Sequence, residues 1–313
     1  MSSTYFDRSV ILSGVLSPPV IVNGSYPIKT QDYSVQMNQK ISLDSSYMQG
    51  GPGKAVASIS KKIIDGNISF PLRINESNAL QSGIIDLLNS GQNYNSLVTL
   101  TTFLLPYNAA LTAESDPYVY STNSLVFDTC VVEKTTITAK KNGPVNVSIS
   151  IKGQTDVANL NPLTIPADDT NLYRNVDWYD CFFERNGSQL ENLIEFSFTI
   201  EKEVDQKFFL MYCAQADRYD RPFSTGVKSV GVSFKIVEHI TSAFDIFGYS
   251  LGGFFNEFNL TGTIGPISFL IPDSLLKISV QNLTPDIIER TTEGFFRMSP
   301  STPLNENFLF TIT

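Results

Sequence analysis

This chain of 313 residues contains one histidine, three cysteines and one tryptophan, and each scarcity excludes something. A serine or cysteine nucleophile needs a positioned base, most often histidine. His239 closes an alternating run and has no partner motif beside it. A zinc site needs several Cys or His at close spacing, whereas Cys130, Cys181, Cys213 and His239 are scattered. Three widely separated cysteines suit reduced, buried thiols better than a disulfide framework. A single Trp178 argues against a sugar groove lined by several stacking rings. The run Gly50-Gly-Pro-Gly53 lacks the Lys-Ser or Lys-Thr that follows a phosphate-cradling loop. No catalytic residue, metal ligand or cofactor is therefore expected, and the chain reads as something other than an enzyme. Asp217, Arg218, Asp220 and Arg221 read as a solvated or inter-subunit ion-pair patch.

Charge is also scarce. Asp, Glu, Lys and Arg make up 17% of the chain, against roughly 25% in an ordinary soluble domain. Ser, Thr and Asn fill the gap, which suits a protein whose surface is largely covered by copies of itself. The net charge of −9 is the wrong sign for holding nucleic acid by phosphate neutralisation. No apolar run approaches the ~20 residues of a membrane span. Met1–Arg8 has no basic region leading into a long apolar stretch, so no secretory signal is expected.

What is present is alternation. In Val145-Asn-Val-Ser-Ile-Ser-Ile-Lys-Gly153, Val145, Val147, Ile149 and Ile151 fall on one face. Asn146, Ser148, Ser150 and Lys152 fall on the other, the two-residue period of a half-buried strand. Val131–Lys140 precedes it, and Asn142-Gly143 between them predicts a tight hairpin turn, followed by Pro144 where an amide can be spared. The polar face is small, hydroxyl-rich and nearly uncharged, which fits either a shared surface or one turned to water.

The same pattern recurs. Ile68, Phe70 and Leu72 alternate with Asn67, Ser69 and Pro71; Ile194, Phe196, Phe198 and Ile200 with Glu195, Ser197, Thr199 and Glu201. Val230, Val232, Phe234 and Ile236 alternate with Ser229, Gly231, Ser233 and Lys235. Further strands are predicted at 97–105, 267–271, 276–280 and 308–312, with a turn at Pro272-Asp273. A helix is predicted from about Ser77 to Asn89, with Leu80, Ile84, Leu87 and Leu88 on one face and Ser90-Gly91 as its stop. Residues 1–54 read as an N-terminal arm ending in a flexible loop, Asp44–Gly53. In that loop Asp44, Tyr47, Met48, Gly50 and Gly53 are candidate contact residues. Residues 55–313 read as the β domain, with a long irregular excursion over 154–190 and a C-terminal extension past about 280. Two stretches, near 126–152 and 193–237, share a layout of strand, break and strand.

This order of strands and textures resembles the tail tube proteins of tailed bacteriophages. The resemblance rests on Asn67-Ile-Ser-Phe-Pro-Leu72 leading into a helix with Leu87-Leu88, on the hairpin ending Val145–Gly153, on Leu193–Glu201, on Ser224–Val237 and on a strand near Ile267–Ile271. It covers roughly residues 55–280. It implies a mostly β fold: a two-sheet antiparallel sandwich or barrel with a flanking α-helix, whose inner sheets join into a ring-wide β-barrel on oligomerisation. It further implies a structural virion protein of the tail, made in the host cytoplasm, forming stacked hexameric rings through which DNA is ejected. Partners would be other copies of itself, tape measure protein and double-stranded DNA in transit, with sheath and baseplate proteins as further candidates. On that reading Asn146, Ser148 and Ser150 face the lumen, and Asp44, Tyr47, Met48, Gly50 and Gly53 form an inter-ring loop. Lys152, Arg73 and Lys235 share strand faces with Glu195 and Glu201, so these strands alone do not make an acidic lumen. Another tube or baseplate component, a secretion-system tube, and a monomeric β-sandwich adhesin are the alternative readings.

Overall fold

A computed structural model describes residues 20–25, 28–44, 56–93, 96–103, 124–153, 173–185, 187–190, 193–205, 212–213, 218–219, 223–239, 258–283, 287–296 and 310–312. The first strands are β1 (Val20–Val22), β2 (Asp32–Tyr33), β3 (Gln36–Asp44), β4 (Val56–Pro71) and β5 (Arg73–Asn75). Helix α1 (Ser82–Gln92) follows, then β6 (Val98–Phe103), β7 (Ser124–Lys140), β8 (Asn146–Gly153) and β9 (Tyr173–Asn175). After a 3-10 turn at Trp178–Asp180 come β10 (Cys181–Arg185), β11 (Ser188–Gln189), β12 (Leu193–Asp205), β13 (Tyr212–Cys213) and β14 (Arg218–Tyr219). The last are β15 (Phe223–His239), β16 (Phe258–Ile264), β17 (Ile267–Leu283), β18 (Ile287–Phe296) and β19 (Phe310–Ile312). The protein is mostly β and its strand pairs are antiparallel, as expected.

The main sheet runs β11-β10-β16-β17-β18-β15-β12-β7-β8-β4-β2, with β1, β3, β6 and β19 attached to its flanks. It folds over on itself. Phe269 on β17 stacks on Phe196 and Phe198 of β12, at ring-centroid distances of 5.4 and 5.9 Å. Phe183 of β10 lies 4.3 Å from Phe196. The fold-over is made by β17, whose first half pairs with β16 and β19 and whose second half pairs with β18. A strand that changes partners along its length is the usual way to turn a corner between layers. The predicted turn at Pro272-Asp273 is thus not a break. The backbone stays extended through it, because the change of partner happens there.

The predicted hairpin is β7–β8, in register Ile137↔Val147, Thr135↔Ile149 and Val132↔Ile151. The positive backbone angle of its turn falls on Asn142 alone, at φ 63°. Val145, Val147, Ile149 and Ile151 are fully buried. The two similar stretches become the pairs β7–β8 and β12–β15, which lie side by side through β7–β12.

Three local expectations change. The helix begins at Ser82 because Asn78 adopts a left-handed φ of 61° and Leu80 bridges back to Ile74. It also runs through Ser90-Gly91, both buried. Gly91 does not end the helix but lets it approach β7: a β-carbon there would overlap Thr135 Oγ1. On β12 the core-facing residue at the start is Leu193 rather than Ile194, since the register slips between Leu193 and Glu195.

The arm and the excursion are partly woven into the core. Val20, Ile21, Val22, Ile28 and Val35 are buried, and β1 pairs with β6. Residues 173–190, expected to be irregular, include β9, β10 and β11, and bury Val176 and Phe183. Val176 donates its N–H to Leu72 O and accepts from Val145 N–H, each at 2.8 Å, tying this segment to the residue after β4 and the residue before β8. Past 280, β18 inserts between β15 and β17.

Candidate functional site: the polar face of the main sheet

Opposite the buried Val and Ile side chains of β8, Ser148 is exposed and Asn146, Ser150 and Lys152 are half-buried. Register extends this face sideways. Ser69, Ser148, Thr136 and Thr199 lie in one row across β4, β8, β7 and β12. Asn146, Thr138, Ser197 and Ser233 lie in the next row, across β8, β7, β12 and β15. Thr136 and Thr199 hydroxyls meet at 3.1 Å, and Ser150 Oγ donates to Asn67 Oδ1 at 2.6 Å. Cross-strand hydroxyl pairs of this kind stabilise a sheet without requiring apolar contact. Sequence alternation identified the polar residues of β4, β8, β12 and β15, but neither Thr136 and Thr138 of β7 nor these rows, since register is not legible from one strand at a time.

Charged residues border the hydroxyl band, and they are paired. Lys134 meets Glu201 at 3.3 Å and Lys140 meets Glu195 at 3.2 Å. Lys152 pairs with Glu133. Glu195 stands in register between Lys140 of β7 and Lys235 of β15. Arg73, by contrast, lies on β5, which pairs with β9 in a separate two-stranded sheet.

Beneath this face, Lys202 continues the alternation of β12 into the core and is fully buried. Its Nζ donates to Ser90 O at 2.5 Å and Asn93 O at 2.8 Å. Those carbonyls belong to the end of α1, where a helix leaves acceptors unsatisfied and carries partial negative charge. A lysine at an inward-facing strand position was the sequence signal for this tie.

The remaining candidates are placed as follows. Asp44 is the last residue of β3 and pairs with Val56. Tyr47, Met48, Gly50 and Gly53 lie outside the described residues, in the connection between the two strands of the β3–β4 hairpin. His239 ends β15, opposite Ile287. Of the charged patch near 217–221, only Arg218 is described, on β14. Cys130 and Cys181 are free thiols, and burial, reinforced by Asp180 and Asp177, pushes Cys181 up to about 12, far from a reactive thiolate. No cluster of metal-ligating side chains occurs among the described residues. No helix among them is long and apolar enough to cross a membrane. Among the described residues the arrangement offers a broad polar sheet face.

A family model described as phage tail tube protein matches residues 22–264. The chain belongs to the phage tail tube protein family. The match starts earlier than the resemblance seen in the sequence, at the last residue of β1, takes in β2 and β3, and ends before β17. No curated protein matches the chain. As a member of this family the protein is a structural component of the virion tail that associates with itself to form the tube. The strands β17, β18 and β19 lie beyond the matched region and complete the sheet in this tail tube protein.

Proposed function

We propose that this tail tube protein forms closed rings of six copies, that the rings stack, and that the polar face of β4, β8, β7, β12 and β15 lines the channel through which DNA leaves the virion. Asn146, Ser148 and Ser150 are lumenal on this reading. The observation that carries it is the two-sidedness of the layer: a continuous band of hydroxyls on one face, fully buried aliphatic side chains on the other. A channel needs a face that neither binds phosphate nor exposes apolar patches, and hydroxyls meet both conditions.

Sheet edges support assembly. Among the described residues β3 pairs only with β4, and Val56–Ile63 of β4 pairs only with β3. Open edges of this length template association with another chain, and closure of the sheets into a barrel removes them. On this reading the residues that link β3 to β4, Tyr47, Met48, Gly50 and Gly53 among them, make the contact with the next ring. Tape measure protein occupies the channel before DNA does, and sheath and baseplate proteins meet the outside and the end of the tube.

The test pairs two variants of β8, one on each face of the strand. Ser148→Lys with Ser150→Lys removes no core volume, so tubes seen by negative-stain electron microscopy form in near-normal yield. Genome release is slowed at low salt, because repeated lumenal lysines attract phosphate, and recovers as salt screens the attraction. Val147→Lys buries a charge and abolishes folded, assembly-competent protein. Normal tubes from Val147→Lys beside unfolded Ser148→Lys protein would invert the faces. Only monomer at high protein concentration would remove the tube reading.

A further inference from the structure

We infer that the cross-strand lysine–glutamate pairs on the polar sheet face are charge masks: each carboxylate cancels a lysine that would otherwise grip passing DNA. This rests on the reading that the face lines the channel. The chain does not make this surface inert by leaving out cations. It places Lys134, Lys140 and Lys152 on the face and sets Glu201, Glu195 and Glu133 against them.

Folding alone gives little reason for these pairs, since exposed ion pairs add little to stability. The side chains of Lys134 and Lys140 are 44% and 65% exposed, so both ammonium groups would reach a phosphate if released. A free ammonium is felt over roughly a Debye length, ~8 Å at physiological salt. Held about 3 Å from a carboxylate, it acts as a dipole whose field fades faster with distance. The polymer passing by carries one charge per ~1.7 Å, and a tube repeats every lumenal lysine around each ring and along each stack. Small residual attractions therefore multiply, and masking has to be done at each lysine in every copy. Glu195 carries the most weight, because it stands in register between Lys140 and Lys235.

The experiment compares genome release from virions carrying Glu195→Gln with Glu201→Gln against the wild type, at low and high salt. Unmasked lysines are expected to slow release on the order of 10-fold at about 50 mM salt, with the difference gone by about 500 mM, the steep salt dependence of phosphate contacts. Removing the matching lysines as well, in the quadruple variant with Lys134→Gln and Lys140→Gln, restores the wild-type rate. Lys134→Gln with Lys140→Gln alone does not slow release. A pair that merely stiffened the sheet would give the opposite ordering, the quadruple variant being no better than the double. Should the glutamine variants assemble poorly, the swapped pair Lys134→Glu with Glu201→Lys decides: it keeps a mask and releases DNA normally, and slow release overturns the inference. An electron-microscopy reconstruction of the wild-type tube separates the two levels. With this face on the channel and no effect of Glu195→Gln and Glu201→Gln, the masks are refuted and the lumen stands. With this face turned away from the channel, the lumen reading itself falls.

Discussion

Strand β8 buries all of its aliphatic residues, whereas the segment 173–189 buries Val176 and Phe183 and leaves Tyr179 and Phe182 exposed, and the two come to order differently. In β8 every second residue is buried, and the pattern is complete within nine residues from Val145 to Gly153. In Tyr173–Gln189 the ordering partners are far off in the chain. Val176 is fixed by Leu72 and Val145. Phe183 packs against Trp178, Phe196 and Phe269, at 6.1, 4.3 and 6.0 Å. The Arg174 guanidinium clasps both oxygens of Asp180, which also accepts the Asp177 N–H. The lesson is that turn-like composition, such as Asn175, Asp177 and Asp180, does not make a segment irregular when a few side chains have prepared sites to fill.

If those sites order the segment, emptying one is costly. Phe183→Ala is expected to lower unfolding free energy by about 3–5 kcal/mol, the range for buried Phe truncation. Chemical denaturation with a fluorescence readout from Trp178, 6.1 Å away, measures it. A loss under ~1 kcal/mol would mean the segment contributes little to the core, and that β8 and its like carry the fold alone.

The comparison sharpens at Lys202, where alternation holds but the residue is polar. Lys202→Met keeps the length of the side chain and leaves Ser90 O and Asn93 O without their donor. About 2 kcal/mol of stability is expected to go, the cost of unsatisfied buried carbonyls. Faster amide hydrogen exchange in the last turn of α1 localises the effect. Unchanged exchange there would show that the lysine is accommodated in the core rather than needed by the helix.

The smallest effect belongs to the surface clasp. The Arg174 hydrogen bond, with the Asp177 N–H, holds the Asp180 carboxyl below its ordinary value of 3.8. A carboxyl lowered in the folded state contributes stability that is full above the unfolded value and is lost as pH falls through the folded one. Asp180→Asn therefore costs slightly at pH 7 and nothing extra in strong acid. Denaturation midpoints of both proteins at pH 7 and below pH 3 test this. A gap that stayed constant with pH would assign the cost to the turn rather than to the charge.

Much of the polar face was legible from Asn146, Ser148 and Ser150, and from Ser197 and Thr199, because a strand's period is a local property of the chain. Helix α1 was legible from Ile84, Leu87 and Leu88 but misplaced by several residues. Asn78 and Gly91 have roles set by Leu80's bridge and by Thr135, neither adjacent in sequence. The scarcity of histidine, cysteine and charge likewise belongs to the sequence, but the reading as a tail tube subunit came from the resemblance in strand order and texture.

Register was beyond the sequence. That Lys140 meets Glu195, that Lys134 meets Glu201, and that Thr136 meets Thr199 depends on how β7 slides against β12. A slip of one residue would turn every side chain to the other face, but slips of two keep the faces and exchange all the partners. Sequence thus determined, within β8 and along β12 from Phe196 onward, which residues are inside and which are outside, while Ile194 shows how a register slip overrides it. Only the tertiary structure decided who stands beside whom, because that is set jointly by the turn at Asn142, the bulges in β7 and β12 and the aromatic packing of Phe196 and Phe198 under the second layer.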